Sequence, residues 1–159
     1  MSRFHCSVLG LGALALVSTA VPAADAPDRA RAVAEKVTAE GAALFDTYDP
    51  HAMAATYDEK AVLVILKKVG DAVEREVHVG RGKIEEAYAE LLKNPETIKS
   101  RNVVERARLL APDVLTIDGS FDTNTLNPSS LKVSFHQVRQ NKDGKWLVLD
   151  MEVAYFPND

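Results

Sequence analysis

Apolar positions along this chain switch between two periods, and each switch marks a new element. Val33, Val37, Leu44, Phe45 and Tyr48 recur at helical spacing, which predicts one amphipathic helix opening near Asp28, a candidate N-cap, and running to about Asp46. Asp49-Pro50 reads as a cap with proline in the first turn of a short second helix, HAMAATY. The period then drops to two. An apolar run from Ala61 to Leu66, a turn at Gly70-Asp71 and the alternating AVEREVHV predict a β-hairpin whose second strand is half exposed. Ile84, Ala87, Tyr88, Leu91 and Leu92 share one face of a third helix ending near Lys93, with Asn94-Pro95 as its stop. The last third is all strand: NVVERARLLAP, DVLTIDGSFD, SLKVSFHQVRQ and KWLVLDMEVAYF, separated by turn residues among which Asp143-Gly144 is the clearest hairpin signal. The order α-α-β-β-α-β-β-β-β predicts an α+β domain with one twisted, mostly antiparallel sheet whose helices cover one face.

The segment HVGRGKIEEAY, His78 to Tyr88, raises a chemical question. Two glycines, an arginine and a lysine ahead of a helix are the material of a phosphate-gripping loop. The spacing refuses that reading. A P-loop needs G-x-x-x-x-G-K-[S/T], whereas Ile84 follows Gly82-Lys83 and Val77 stands in the first glycine's place. The dinucleotide fingerprint fails at Glu85, and the preceding strand belongs to a hairpin. The segment is therefore expected to be a turn: Gly80 lets the chain leave the strand, Gly82 begins the helix, and Arg81 and Lys83 are solvated.

With 159 residues, 47% of them hydrophobic and 26% charged, the chain is sized for one domain with its own core. Its beginning is a separate matter. MSRFHCS carries Arg3, the run from Val8 to Ala20 carries no charge, and VPAADAP follows. That is the order of a secretory signal peptide, and the run falls short of the about 20 residues that span a bilayer. Residues 1–23 are expected to be cleaved, after Ala23 or Ala24, leaving residues 25–159 as a single exported domain, periplasmic or secreted and free of the membrane. Cleavage would remove Arg3 and no acid, leaving a chain one unit more negative than the −4 of the whole, and would remove Cys6, the sole cysteine. Mild acidity without a basic cluster argues against nucleic acid as a partner. His51, His78 and His136 stand far apart with no H-x-x-x-H spacing, so no metal is expected, and no nucleophile elbow is present.

Three stretches carry a family resemblance. LFDTYDPHAMAATYDEKAVLVIL resembles the first half of a SnoaL-like domain of the nuclear transport factor 2-like superfamily, HVGRGKIEEAYAELL its glycine–arginine turn into the third helix, and DGKWLVLDMEVAYF its closing hairpin. The resemblance spans about residues 29–156. It implies a cone-shaped, cystatin-like α+β fold of about six mostly antiparallel strands curved around three helices, with a pocket between sheet and helices and frequent dimerisation through the outer sheet face. It implies no single activity, since ketosteroid isomerases, polyketide cyclases, dehydratases and binding proteins share it. The activity has to be argued from the pocket.

Strand parity sorts candidates for that pocket, because alternate side chains face opposite sides of a sheet. In the last strand Leu147, Leu149, Met151, Val153 and Tyr155 form an apolar, inward set, leaving Trp146, Val148, Asp150 and Glu152 outward. The same sorting places Leu115, Ile117, Gly119 and Phe121 inward, then Leu131, Val133, Phe135 and Gln137, with Asp118 and His136 outward. In NVVERARLLAP the Val103, Glu105, Ala107 set is taken as inward, since two arginines are harder to bury than one glutamate.

The expected function is binding of a small apolar or amphipathic molecule by a pocket drawn from Val62, Val64, Tyr88, Leu115, Ile117, Phe121, Phe135, Gln137, Leu149 and Met151. The alternative is an isomerase, cyclase or dehydratase working without a cofactor, with Glu105 or Asp58 as base and Tyr48 or Tyr57 as the oxyanion donor. A third possibility is an assembly module, with a homodimer formed through Trp146 and Val148 on the outer sheet face. His78, on the polar side of its strand, is expected to be exposed.

Overall fold

The computed structural model describes residues 26–93, 99–123 and 133–155. The expectations for residues 1–23, for the Asn94-Pro95 stop and for Leu131 fall outside them. Nine elements follow in order: α1 (Ala26–Phe45), α2 (Pro50–Ala54), β1 (Tyr57–Val69), β2 (Ala72–Val79), α3 (Arg81–Leu91), β3 (Ser100–Ala111), β4 (Val114–Thr123), β5 (Val133–Lys142) and β6 (Lys145–Tyr155). The strands form one six-stranded sheet in the order β2-β1-β6-β5-β4-β3, antiparallel except where β1 runs beside β6. This is the α+β architecture that the alternation of periods predicts.

Helix α1 begins two residues before Asp28, which sits in the first turn, where its charge favours the helix dipole, and is not the cap. Its buried stripe is built from small side chains, Ala30, Ala34, Val37, Thr38 and Ala42, which let the helix lie close against β3. Two polar contacts fix that seat: the Asn102 amide donates to the Thr38 carbonyl at 2.7 Å, and the Thr38 hydroxyl donates to Ala34 O at 2.7 Å. Beyond α1 the Asp46 carboxylate accepts the Ser100 backbone N–H, tying the helix end to the start of β3. The Asp49 carboxylate then caps α2 by accepting from Ala52 N at 2.9 Å, with Pro50 in the first turn.

The sheet is bent by extra residues. In β6, Val148 pairs with Arg139 and Asp150 with Val138, so Leu149 stands unmatched between them. In β3, Val104 pairs with Gly119 and Arg106 with Asp118, so Glu105 is the extra residue. Each bulge turns the strand by one position and exchanges its faces. Trp146 and Val148 therefore share the inner face with Met151, Val153 and Tyr155, although a single parity along β6 places them outside. In β3 the inner residues are Asn102 and Val104 before the bulge and Ala107 and Leu109 after it; Glu105 is exposed.

Two apolar clusters fill the concave side. One joins Met53 of α2 and Ile84, Tyr88 and Leu92 of the α3 region to Tyr57, Leu63, Val133, Val148 and Val153. The other packs the α1 stripe on Val104, Leu115, Ile117 and Phe135. Phe121 and Met151 touch both. Gly119 pairs with Val104 beside the bulge of β3: a Cβ there would lie 2.4 Å from the Val103 carbonyl and 2.7 Å from the Phe135 ring. Gly41 on α1, by contrast, has nothing within 4 Å of where a Cβ would be. Gly119→Ala is thus expected to destabilise the protein by about 1–3 kcal/mol through overpacking. Gly41→Ala should stabilise it by roughly 0.5–1 kcal/mol through helix propensity. Urea unfolding followed by circular dichroism measures both, and equal effects at the two positions would contradict the close approach at Gly119.

Candidate functional site

A cavity of about 450 Å³ lies within the first apolar cluster and reaches the second at Phe135. Leu63 and Ile65 of β1, Met151 and Val153 of β6 and Phe121 of β4 form its apolar walls, and Phe45 closes one side by packing edge-on against Phe121 at 5.2 Å. Of the residues expected to line the pocket, Tyr88, Phe121, Phe135, Gln137 and Met151 do so. Leu115 and Ile117 are instead wholly buried under α1, in the filled half of the cone. Val62 and Val64 face the other side of the sheet, because the register pairs Leu63 with Met151 and Ile65 with Val153. Leu149 is the bulge residue and does not line the cavity.

One group of polar side chains in the cavity comes from β1, α3 and β5. The hydroxyls of Tyr57 and Tyr88 are 2.8 Å apart, and the Tyr57 hydroxyl also lies 2.9 Å from Met151 Sδ. Two proton arrangements are open to this pair. Tyr88 can donate to Tyr57 and Tyr57 to the thioether, which is a weak acceptor. In the other, Tyr57 donates to Tyr88 and the Tyr88 proton is free to meet an oxygen brought into the cavity. Beside them, Arg139 is 6% exposed and Gln137 4%. Arg139 Nε donates to Gln137 Oε1 at 2.8 Å and Nη1 to the Trp146 carbonyl at 3.3 Å. Burial lowers the Arg139 pKa, while the fields of the two phenols and of Glu40 raise it. A guanidinium nonetheless stays charged in a protein. Parity along β5 extends the inward series Val133, Phe135, Gln137 by one more step to Arg139; the sorting of sequence residues stopped at Gln137, because arginine is rarely buried unpaired.

The proposed acids lie elsewhere. Glu105 is exposed on the bulge of β3. Asp58 accepts Lys142 Nζ at 2.6 Å, and that bond, with a second from Lys60 N, holds its carboxyl below the ordinary range. It is not part of the cavity wall. Tyr48 has positive φ, 56°, at the end of α1 and packs against the first cluster without lining the cavity. The carboxylates that do line the cavity are Glu76 and Glu90, each paired with a lysine: Glu76 accepts Lys67 Nζ at 2.9 Å, and Glu90 meets Lys93. The hydrogen bond from Lys67 lowers the Glu76 pKa, the direction that weakens a base. His78 is half-buried and lines the cavity, because the inner face of β2 is its polar one; its Nε2 is buried without a hydrogen bond, 3.8 Å from Glu76. Among the described residues no cluster of three or more histidine, cysteine or acidic side chains could hold a metal ion.

The turn at Gly80 serves this site without chemistry of its own. Gly80 caps α3 with φ 86°, a conformation that favours glycine, and its N–H donates to Ala61 O at 2.8 Å. Arg81 is not solvated as expected: its Nε and Nη2 both donate to the Tyr57 carbonyl, at 3.0 and 2.8 Å, holding the start of β1 in place. Lys83 pairs with Glu86 on the surface.

Burial pushes the phenol of Tyr88 up to about 12 and raises those of Tyr57 and Tyr155 as well. Groups with raised native values support the fold fully below the ordinary pKa of 10.0 and lose that contribution as the pH climbs through the raised values, since the unfolded chain releases its protons first. Stability is therefore expected to decline from pH 10.0 toward about 12. The absorbance at 295 nm should show fewer ionised phenols in the native protein than in urea across that interval; superimposable titrations would contradict the burial of the pair.

Comparison with family models and with curated proteins returned no match. Solved structures do match. A protein of Xanthomonas campestris described as a calcium/calmodulin-dependent protein kinase II association domain is 26% identical, over 81% of this chain and 89% of that one, with a TM-score of 0.59. A domain of unknown function with a cystatin-like fold from Nostoc punctiforme is 11% identical, over 82% and 79% of the two chains, with a TM-score of 0.65. An NTF-2 like protein of unknown function from Shewanella oneidensis is 13% identical, over 77% and 95%, with a TM-score of 0.58. In strand order, in the wrap of the helices and in these likenesses, the chain has the cystatin-like fold of the nuclear transport factor 2-like proteins.

Proposed function

We propose that this chain is an exported binding domain whose cavity takes one small amphipathic molecule. The observation that carries this reading is the composition of the cavity: mostly apolar walls around about 450 Å³, with Tyr57, Tyr88, Gln137 and Arg139 grouped together as buried polar residues. Pockets of roughly 300–1,000 Å³ with mostly apolar walls and a few converging polar groups are what drug-sized ligands occupy. The uncharged run ahead of residue 25 supports the export half of the proposal. The carboxylates expected as bases, Glu105 and Asp58, do not line the cavity, and the two that do, Glu76 and Glu90, are each paired with a lysine.

The neutral fluorophore N-phenyl-1-naphthylamine tests the pocket directly. Its emission should rise on binding, with a dissociation constant in roughly the micromolar range and one probe per chain. Ala87, half-buried on α3 and facing the cavity, gives the control: Ala87→Trp should fill the space and weaken the probe at least about tenfold with the fold intact by circular dichroism. Weak binding unaffected by Ala87→Trp would defeat the pocket reading.

Assembly is a second reading with one observation behind it. Val62 and Val64 of β1 pair with Val79 and Val77 of β2 on the outer face, where Val64 is already buried within the chain while Val77 and Val79 are 42% and 61% exposed. This face, and not Trp146 and Val148, is the apolar outer surface that a second copy of the chain would cover. The likeness to a described association domain supports the same reading. Sedimentation equilibrium at micromolar concentration should show a dimer that Val77→Lys weakens at least about tenfold by burying an unpaired charge; a monomer before any substitution would end this reading.

A further inference from the structure

We infer that the cavity's ligand carries a carboxylate, and that the Arg139 guanidinium is its receptor. This rests on the pocket reading above and adds the chemistry of the ligand's head. Arg139 projects inward from β5 because β5 itself has no bulge: Val133, Phe135, Gln137 and Arg139 alternate without interruption onto the concave face, all of them buried. Of its five N–H groups, one goes to Gln137 Oε1 and one to the Trp146 carbonyl, both neutral acceptors. Among the described residues no acceptor takes the two protons of Nη2 or the second proton of Nη1. No carboxylate among the described residues forms an ion pair with it. The acid whose field it feels is Glu40, exposed on α1 and itself 4.0 Å from Lys36.

A charge taken out of water without a counter-ion is strongly disfavoured, and proteins bury arginine almost wholly in pairs. Here the pairing position is open space inside the cavity. Gln137 fixes the guanidinium from one side by its side-chain oxygen, so the free donors are already oriented. A planar carboxylate matches those donors with two parallel hydrogen bonds. The Tyr57–Tyr88 pair stands beside the same point and can turn the Tyr88 proton toward a ligand oxygen. From Arg139 the walls run across β6 and β1 to His78 on β2, three strand spacings or roughly 14 Å, and are lined by Met151, Leu63 and Val153. An apolar tail of moderate length lies along them.

The test displaces N-phenyl-1-naphthylamine with octanoate and with 1-octanol, probes of equal chain length that differ in the head. Octanoate should displace the probe at about 10- to 100-fold lower concentration, the advantage of a hydrogen bond to a charged group. Arg139→Gln should erase that preference, read within the variant as the ratio of the octanoate and octanol concentrations that displace the probe. Arg139→Lys, which keeps the charge but not the fork, should retain part of it. Equal displacement by acid and alcohol in the unsubstituted protein overturns the inference whether or not the variants fold, and so does a preference that survives Arg139→Gln. Failure of the neutral probe to bind at all is a different result: it removes the pocket reading, and the carboxylate site with it.

Discussion

An open sheet encloses a cavity only if it bends, and two of the irregularities that bend this sheet are single unmatched residues. Leu149 in β6 and Glu105 in β3 each force two residues of one strand to oppose one of its neighbour, which sharpens the local twist. The bend at Leu149 brings Val148 inward beneath Tyr57 and swings Met151 to the phenol pair. The bend at Glu105 keeps Val104 under α1 while Ala107 and Leu109 continue the same face. Gly119 permits the close approach between them, since Val103 and Phe135 occupy the place of any side chain. Without these offsets the strands would present mixed faces, and neither the filled half under α1 nor the hollow half under α3 could exist.

That division into a filled and a hollow half follows from side-chain size on the helices. The α1 stripe is mostly alanine, so the helix comes close to the sheet and Leu115 and Ile117 are sealed beneath it. The facing residues of α2 and α3 are larger and fewer, and α2 is only five residues long. The helices there prop the sheet without filling it. Arg81 supplies the missing tie: two hydrogen bonds to the Tyr57 carbonyl anchor α3 to the strand that carries a cavity phenol. A motif that looks like a phosphate loop thus works as a hinge pin for the pocket wall.

The order and type of the elements were legible in the sequence because each has its own period and punctuation. Asp49-Pro50, Gly70-Asp71, Gly80 and Asp143-Gly144 stand at the ends of the elements they were read to delimit. The interior of the cone was legible only in part. Phe121, Phe135, Gln137 and Met151 lie on stretches where parity runs unbroken from the reference residue, and sorting by twos places them on the cavity wall. Val148, Leu149 and Glu105 fail that sorting because a bulge has no compositional mark in either strand: leucine and glutamate are ordinary strand residues, and the extra position shows only in the register. Val62 and Val64 mislead for another reason. The inner face of β2 carries Glu76 and His78 at the cavity mouth, so valines that look like core face outward.

Arg139 is the instructive case, since hydrophobic sorting is built to exclude it. A rule that buries apolar residues and exposes charges explains most of a core and is silent about a site, where the same rule is broken for a reason. The desolvation of a guanidinium opposes folding, and among the described residues its hydrogen bonds go to neutral acceptors, Gln137 and a backbone carbonyl, with the exposed Glu40 acting only through its field. Replacing it by an apolar side chain of similar length would leave β5 parity, the bulge in β6 and the packing of Phe135 untouched. Nothing in the architecture of the cone therefore requires a cation at this position. What does require one is an anion arriving from outside, and the unused donors, the oriented amide and the phenol pair beside them are arranged around the space where it would sit.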